Sequence, residues 1–331
     1  MPIMYDGGGN SQRLSYIDVI KGIGILLVIL QHCLGGGTLG STPGLQKTIA
    51  SFHMPLFFFI SGFLYKKKTY KDYLFSRMTG LVIPYGIVSI INWILLNVCI
   101  VLKKVMSIEN LFQILKFEGY WFILCLIYIS IVFYFIDYYV NKKLQMILGT
   151  MCLICGLIYC SIVSRSSNTI VTSLVGLYFY MVGVFSRSIS LRVNSVNKRI
   201  MVGLFGVFIL ILIYLISNLN TLVTVARNEY GNPVLFVLCS LLGILALFLL
   251  GLGISTNRIL EFYGKNTLII LTTQFPIYRA TMFLINRTIN YGCVNVWISF
   301  IISVLAEAFV VMLVNKFFPL FAGKTPNIMM S

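Results

Sequence analysis

Charge is scarce in this chain. Only 10% of its 331 residues are Asp, Glu, Lys or Arg, while 59% are hydrophobic, and a soluble globule of that size would lack the polar surface it needs. Long polar stretches are scarce as well: the longest polar connection, 66–80, has the length of a loop. No soluble domain fits between the apolar segments, and the chain reads as an integral membrane protein whose first partner is the lipid bilayer. Acidic residues number nine against 25 basic ones, a net charge of +16. In a soluble domain that excess would raise a nucleic-acid question; in a polytopic chain it is a topology signal, and no nucleic-acid partner is expected. Histidine is scarcest of all, with two residues, His32 and His53. That scarcity bears on metals. Cys152 and Cys155 form a lone CxxC followed by Cys160, with neither histidine nearby in sequence, so no metal site is expected. Nearly all of the eight cysteines lie in or beside apolar spans and read as reduced, structural residues.

Apolar stretches of about 20 residues, each able to cross a bilayer core of about 30 Å as a helix, recur along the whole length. The reading is about ten spans, at 16–36, 48–65, 81–102, 119–137, 145–163, 169–185, 200–216, 234–254, 266–285 and 295–314. The fold class is therefore all-α and polytopic. A short tail, 1–15, precedes a single transmembrane domain, 16–316, and a second short tail, 317–331, follows. The first span is expected to be retained rather than cleaved as a signal peptide, because its flank is nearly neutral and it carries Asp18, Lys21 and His32.

With the N-terminus in the cytoplasm, seventeen Lys and Arg residues fall in inner segments, seven in outer loops, and Arg279 inside the ninth span. The bias favours both termini inside a cell membrane. Lys21 then starts the first span at the cytoplasmic side. His32 lies about 16 Å further along at 1.5 Å per residue, in the outer half, and His53 enters the second span from outside.

An ionisable side chain in hydrocarbon is costly, which makes His32 a functional candidate. At 100° per residue, Lys21 and His32 stand about 20° apart around the helix, and Asp18 about 40° from His32. The three form one polar stripe that must face protein or water. Asp18 and Lys21 also fit a snorkelling interfacial pair, and His32 a hydrogen-bonded packing residue. A neutral imidazole is the form that takes a proton from a hydroxyl.

Five segments occur in the order IDVIKGIGILLVILQH (17–32), FHMPLFFFISGFLY (52–65), YLFSRMTGLVIPY (73–85), YWFILCL (120–126) and YGKNTLIILTTQFPI (263–277). In these the chain resembles the acyltransferase family 3 membrane O-acyltransferases, and within them the fucose 4-O-acetylase-like branch. The resemblance implies that His32 is the catalytic base and that Lys21 and Arg77 belong to the donor site. It implies acyl-CoA, in the first place acetyl-CoA, as co-substrate, with no permanently bound cofactor. The acceptor would be a hydroxyl of a cell-surface or exported glycan in a bacterial plasma membrane. The Lys66–Lys71 cluster fits either a donor site or simple positive-inside anchoring. A covalent acyl-histidine stays open beside direct transfer. His53 either orients the acceptor or is an interfacial residue beside Pro55; Glu118 and Trp121 are acceptor-side candidates, Trp121 also fitting an aromatic belt. A homo-oligomer is allowed by such a chain and not specified by it.

Ser61 and Gly62 read first as a small-residue packing surface. Arg279 and Glu307, at similar depths, are expected to form a salt bridge, and Gly264, Lys265 and Asn266 to start a helix. Two positions depart from the family pattern: Lys21 stands where arginine is usual, and Gln274 where histidine is frequent before the Phe275–Pro276 pair. Lysine lacks the guanidinium's bidentate phosphate contact, and glutamine is no base. The rival readings are a polysaccharide exporter or other transporter, and an assembly subunit that keeps the fold without activity.

Overall fold

The computed structural model describes residues 15–36, 43–91, 94, 121–163, 167–187, 195–288 and 292–318. Eleven helical segments are numbered here: α1 Ser15–Gly36, α2 Pro43–Phe63, α3 Tyr70–Ile91, α4 Trp121–Tyr139, α5 Lys142–Ile162, α6 Thr169–Ser186, α7 Val196–Ser217, α8 Pro233–Ile254, α9 Arg258–Lys265, α10 Thr267–Thr288 and α11 Gly292–Phe317. Among the described residues nine of these are long and apolar enough to cross a membrane; α9 is too short, and α2 is the other exception. The protein is an all-α, multi-pass membrane protein.

The helix α2 lies inside the bundle. It packs against α1, α6, α7 and α8, and its buried positions run without a break from Thr48 to Ile60. The lipid-facing helices show the opposite pattern. On α7 the exposed side chains Ile200, Leu204, Phe208, Ile211 and Leu215 recur at helical spacing and form one apolar stripe.

Helix α3 begins inside the segment read from sequence as a polar loop, 66–80. Its start is capped by Thr69, whose hydroxyl oxygen accepts from the Asp72 backbone N–H at 3.4 Å. The structure also passes through one wider turn, Met78–Val82, before the helix resumes. The polar loop is shortened to the few residues between Phe63 and Tyr70.

Inside a membrane every backbone carbonyl needs a donor from the protein. Pro55 lacks an N–H, so the Ser51 carbonyl one turn earlier loses its helical partner. The Ser240 hydroxyl of α8 supplies the missing donor at 2.7 Å. The proline therefore ties α2 to α8 instead of breaking the helix.

Two helix crossings bring backbone onto backbone. At Gly62 of α2 a β-carbon would sit 1.9 Å from the Tyr180 carbonyl oxygen of α6, and at Gly183 of α6 it would sit 2.0 Å from the Phe59 carbonyl oxygen. At the same end, Gly22 of α1 meets Leu260 of α9, and Gly264 of α9 meets the Asp18 backbone, with β-carbon distances of 2.0 and 1.8 Å. The packing expected at Gly62 is present. Gly264, read from sequence as part of a helix start, is a contact surface between α9 and α1. Asn266 likewise turns back to close α9, its amide donating to the Phe262 carbonyl at 2.8 Å.

Gly62→Ala is therefore expected to lower the thermal stability of the detergent-purified protein by an amount worth at least the ~1–3 kcal/mol of an overpacked core. Gly86→Ala serves as the control, since nothing lies within 4 Å of its β-carbon position. Equal melting temperatures for the two variants would contradict the close crossing.

Candidate functional site

The bundle has two chemically distinct ends. At one, the start of α1 meets the end of α2: Tyr16 packs on Phe248, which packs on Phe63. Lys21 pairs with Asp18 at 3.3 Å, with the Asp18 side chain almost fully enclosed. Close by in the fold, the Tyr65 hydroxyl donates to Asp137 at 3.0 Å, Lys67 reaches the same carboxylate at 3.5 Å, and Arg187 donates to the Tyr65 carbonyl. Burial and the adjacent Asp137 carboxylate raise the Tyr65 hydroxyl above the ordinary tyrosine range, so it stays a donor. Arg77 lies on α3 with its guanidinium 5.2 Å over the Tyr73 ring and its Nε buried without a hydrogen-bond partner.

At the other end a cavity of about 450 Å³ opens into the bundle. Helix α1 contributes Val28, Gln31, His32 and Gly35, spaced i, i+3, i+4 and i+7 on one face. Helix α10 contributes Leu271, Gln274, Phe275 and Tyr278 with the same spacing, and α2 adds Gln46, His53 and Met54. Trp121 at the start of α4 completes the side wall. Both histidines of the chain therefore line one cavity.

The two rings are held differently. His53 donates from Nδ1 to the Ile49 carbonyl at 2.8 Å, because a carbonyl can only accept. That bond fixes the tautomer and leaves the lone pair on Nε2. The half-buried His32 ring is clamped by aromatics: it stacks on Tyr278 at 5.4 Å between centroids, with the planes 16° apart, and leans on Phe275 at 4.5 Å. Arg279 lies over those two rings, 5.4 Å from Phe275 and 5.9 Å from Tyr278, near enough to act electrostatically on His32, as does His53.

Two amides in the same walls stand out. The side-chain oxygens of Gln31 and Gln274 are buried with no hydrogen-bond partner, and Gln274 is only 2% exposed. A buried amide without a partner costs about 1–3 kcal/mol. Two such groups beside two imidazoles make a surface suited to a polar, hydroxyl-bearing molecule.

The roof is a short ordered loop, 218–232, between α7 and α8. Its residues Leu222 to Arg227 line the cavity, and a 3-10 turn, Val225–Arg227, ends in Asn228 with a left-handed backbone, φ 56°. The Asn228 side chain accepts from Thr172 at 2.8 Å and donates to the Asn168 carbonyl at 3.1 Å, both at the start of α6. Asn220 closes the base, donating to the Tyr230 carbonyl and accepting from the Asn232 N–H. Non-glycine residues rarely adopt that backbone, and asparagine is among those that tolerate it.

Of the residues singled out in sequence, His32, His53 and Trp121 come together in the cavity. Lys21 shares the helix but sits towards its other end, paired to Asp18, and Arg77 is on α3 outside the cavity lining. Glu118 lies outside the described residues. Gln31, Phe275, Tyr278 and the loop were not read as site residues. The first three share the helical phase of His32 or Gln274, a signal present in the sequence; the loop's fold depends on residues of α6 and carries no local motif.

The expected pairing of Arg279 with Glu307 is not formed. Glu307, fully buried on α11, accepts from Thr273 at 2.8 Å, and its other oxygen has no hydrogen-bond partner. Similar depth did not bring the two charges to the same side of their helices.

A helical membrane bundle with a polar, two-histidine cavity fits enzymes that act on molecules at a bilayer, and comparison makes that class definite. A family model for an acyltransferase domain, acyltransferase family 3, matches residues 14–315, and the chain belongs to that family. It is a membrane acyltransferase. Comparison with curated proteins and with solved structures returned no match.

Asn228→Ala removes the hydrogen bonds to α6 and puts a strained residue at φ 56°. It should cost about 1–3 kcal/mol, read as a lower melting temperature. Asn228→Gly, which keeps the backbone geometry, should lose less. No difference between the two would argue against the left-handed clamp.

Proposed function

We propose that the protein is an acyl-CoA-dependent O-acyltransferase, in the first instance an O-acetyltransferase of the fucose 4-O-acetylase-like kind. It would modify a hydroxyl of a cell-surface or exported glycan, with His32 as the base. The observation that carries this reading is the convergence of His32, His53 and the unpartnered side-chain oxygens of Gln31 and Gln274 in one cavity, in a chain of acyltransferase family 3.

In the proposed step, an acceptor hydroxyl enters the cavity and hydrogen-bonds to His32. The ring takes the proton as the alcohol oxygen attacks the thioester carbonyl. The C–O bond forms, the C–S bond breaks, and the CoA thiolate leaves with the proton returned by the imidazolium. A well-placed base is worth about 10²- to 10⁴-fold. The His32 ring is pre-oriented for that role by the Tyr278 stack. His53, with its lone pair on Nε2, is placed to accept from a second acceptor hydroxyl. Gln274 cannot act as a base, but its amide N–H can support the carbonyl oxygen as negative charge develops there.

The polyanionic donor fits the opposite end, where Lys21, Arg77 and the Lys66–Lys71 cluster collect positive charge. With both termini in the cytoplasm of a bacterial cell, this is the inner face, and transfer runs from an internal donor to an external acceptor. The paired Lys21 ammonium is a point charge for a phosphate rather than a fork.

The test is purified protein in liposomes with radiolabelled acetyl-CoA and candidate glycans. His32→Ala should reduce acyl transfer by about 10²-fold or more with normal expression and folding. Unchanged transfer would remove His32 as the base, and absence of transfer from the wild-type protein with every donor and acceptor would favour the exporter or assembly-subunit readings. Orientation is read by cysteine accessibility: Thr38→Cys should label from outside and Lys67→Cys from inside, and the reverse overturns the vectorial scheme.

A further inference from the structure

The roof of the cavity carries a cation whose role the transfer step does not use. Arg227 ends the 3-10 turn, lines the cavity and is exposed, and it makes no ion pair with a described residue. Its backbone is fixed on both sides. The preceding Thr224 bridges to Glu229, the following Asn228 is clamped to α6, and Gly231 turns the loop back with φ 63°.

The loop's one carboxylate is directed elsewhere. Glu229 lines a separate cavity of about 250 Å³ on the far side of the loop, with Leu157 and Cys160 of α5. The described lining of the main cavity contains no carboxylate, and Arg227 is its one lysine or arginine. Among the described residues, the cavity wall therefore offers Arg227 no counter-charge, and sets it beside amides and imidazoles that suit hydroxyls.

We infer that the acceptor is an anionic glycan, bearing a carboxylate or phosphate close to the hydroxyl that is acylated, and that Arg227 pairs with that group. This rests on the acyltransfer reading and adds the acceptor's chemical class to it. A guanidinium binds either oxyanion through two parallel N–H donors, which gives orientation as well as attraction. Held on a clamped loop, it fixes which hydroxyl of the sugar lies against His32. Arg227 is thus a specificity residue and takes no part in bond making.

The test compares three oligosaccharide acceptors matched in length: neutral, uronate-bearing and phosphate-bearing, each with acetyl-CoA and the full-length protein in liposomes. The wild-type protein should acylate at least one anionic acceptor with a kcat/KM above the neutral one by about 10- to 100-fold, the scale of one charge-assisted hydrogen bond. Arg227→Gln should lower transfer to the anionic acceptor by a similar factor and leave the neutral one unchanged. Arg227→Lys should restore part of it. Which anionic arm responds identifies the oxyanion. Equal use of all three acceptors, or an equal effect of Arg227→Gln on all, overturns the inference while leaving acyl transfer intact. Calorimetric binding of the same acceptors, without donor, provides the second readout. Anion-selective binding that is salt-sensitive and lost in Arg227→Gln supports the inference even where no transfer occurs, and binding indifferent to the anion or to Arg227 overturns it.

Discussion

In hydrocarbon a polar group has only the protein to bond to, and that constraint governs where this molecule places its few polar atoms. The Ser51 carbonyl freed by Pro55 takes the Ser240 hydroxyl, and Thr48 pairs with Ser217 at 2.9 Å. Between α10 and α11 the same economy produces a ladder of polar contacts, Asn286 with Asn295, Thr281 with Ser303 and Thr273 with Glu307, which Asn266, at the junction of α9 and α10, extends by its contact with Asn315. Each rung pairs one polar side chain with another, although one oxygen of Glu307 stays without a hydrogen-bond partner. A few buried polar atoms among the described residues stay without a hydrogen-bond partner, Arg77 Nε, Ser299 Oγ and one Glu307 oxygen among them, and two more, the Gln31 and Gln274 oxygens, lie in the cavity wall where a substrate would be expected.

Enclosure of α2 is what makes the cavity possible. A helix carrying His53 and Pro55 could not face lipid cheaply; surrounded by α1, α6, α7 and α8, it brings its imidazole to the face of α1 that carries His32. The enclosure in turn demands close approach on the α6 side, which Gly62 and Gly183 provide by having no β-carbon. A glycine in the second motif of the chain and a histidine nine residues before it are thus parts of one arrangement: the first sets the distance between helices, the second uses the space that results.

Much of this was legible in the sequence because its causes are local. Hydropathy and length located nearly every helix, and 3.6-residue phase put Asp18, Lys21 and His32 on one stripe. The same phase contained Gln31 and Tyr278, which stand on the faces of His32 and Gln274 and needed only to be counted. Depth arithmetic failed for Arg279 and Glu307, because rise along an axis says nothing about the direction a side chain takes around it. The start of α3 at Tyr70 was hidden by composition, since KKKTYKDY reads as a loop until Thr69 is seen as a cap. The roof loop was beyond reach: Asn228 finds its partners 56 and 60 residues away, and no pattern near position 228 announces them.

Gln274 bears on how many bases the reaction can use. Where a histidine stood at this position, a relay between two rings on α1 and α10 would be available. Here α10 offers an amide and two aromatic rings to His32, and the second imidazole comes from α2 instead. Its Nδ1 is committed to the Ile49 carbonyl, so His53 can accept through Nε2 without donating its other proton onward. A ring held in that way orients a hydroxyl well and relays a proton poorly. Under the proposed reaction this leaves His32 to take the acceptor proton and to return it to the departing thiolate. Its clamping between Phe275 and Tyr278 follows from that demand, because one ring serving both half-steps must keep the same position through each.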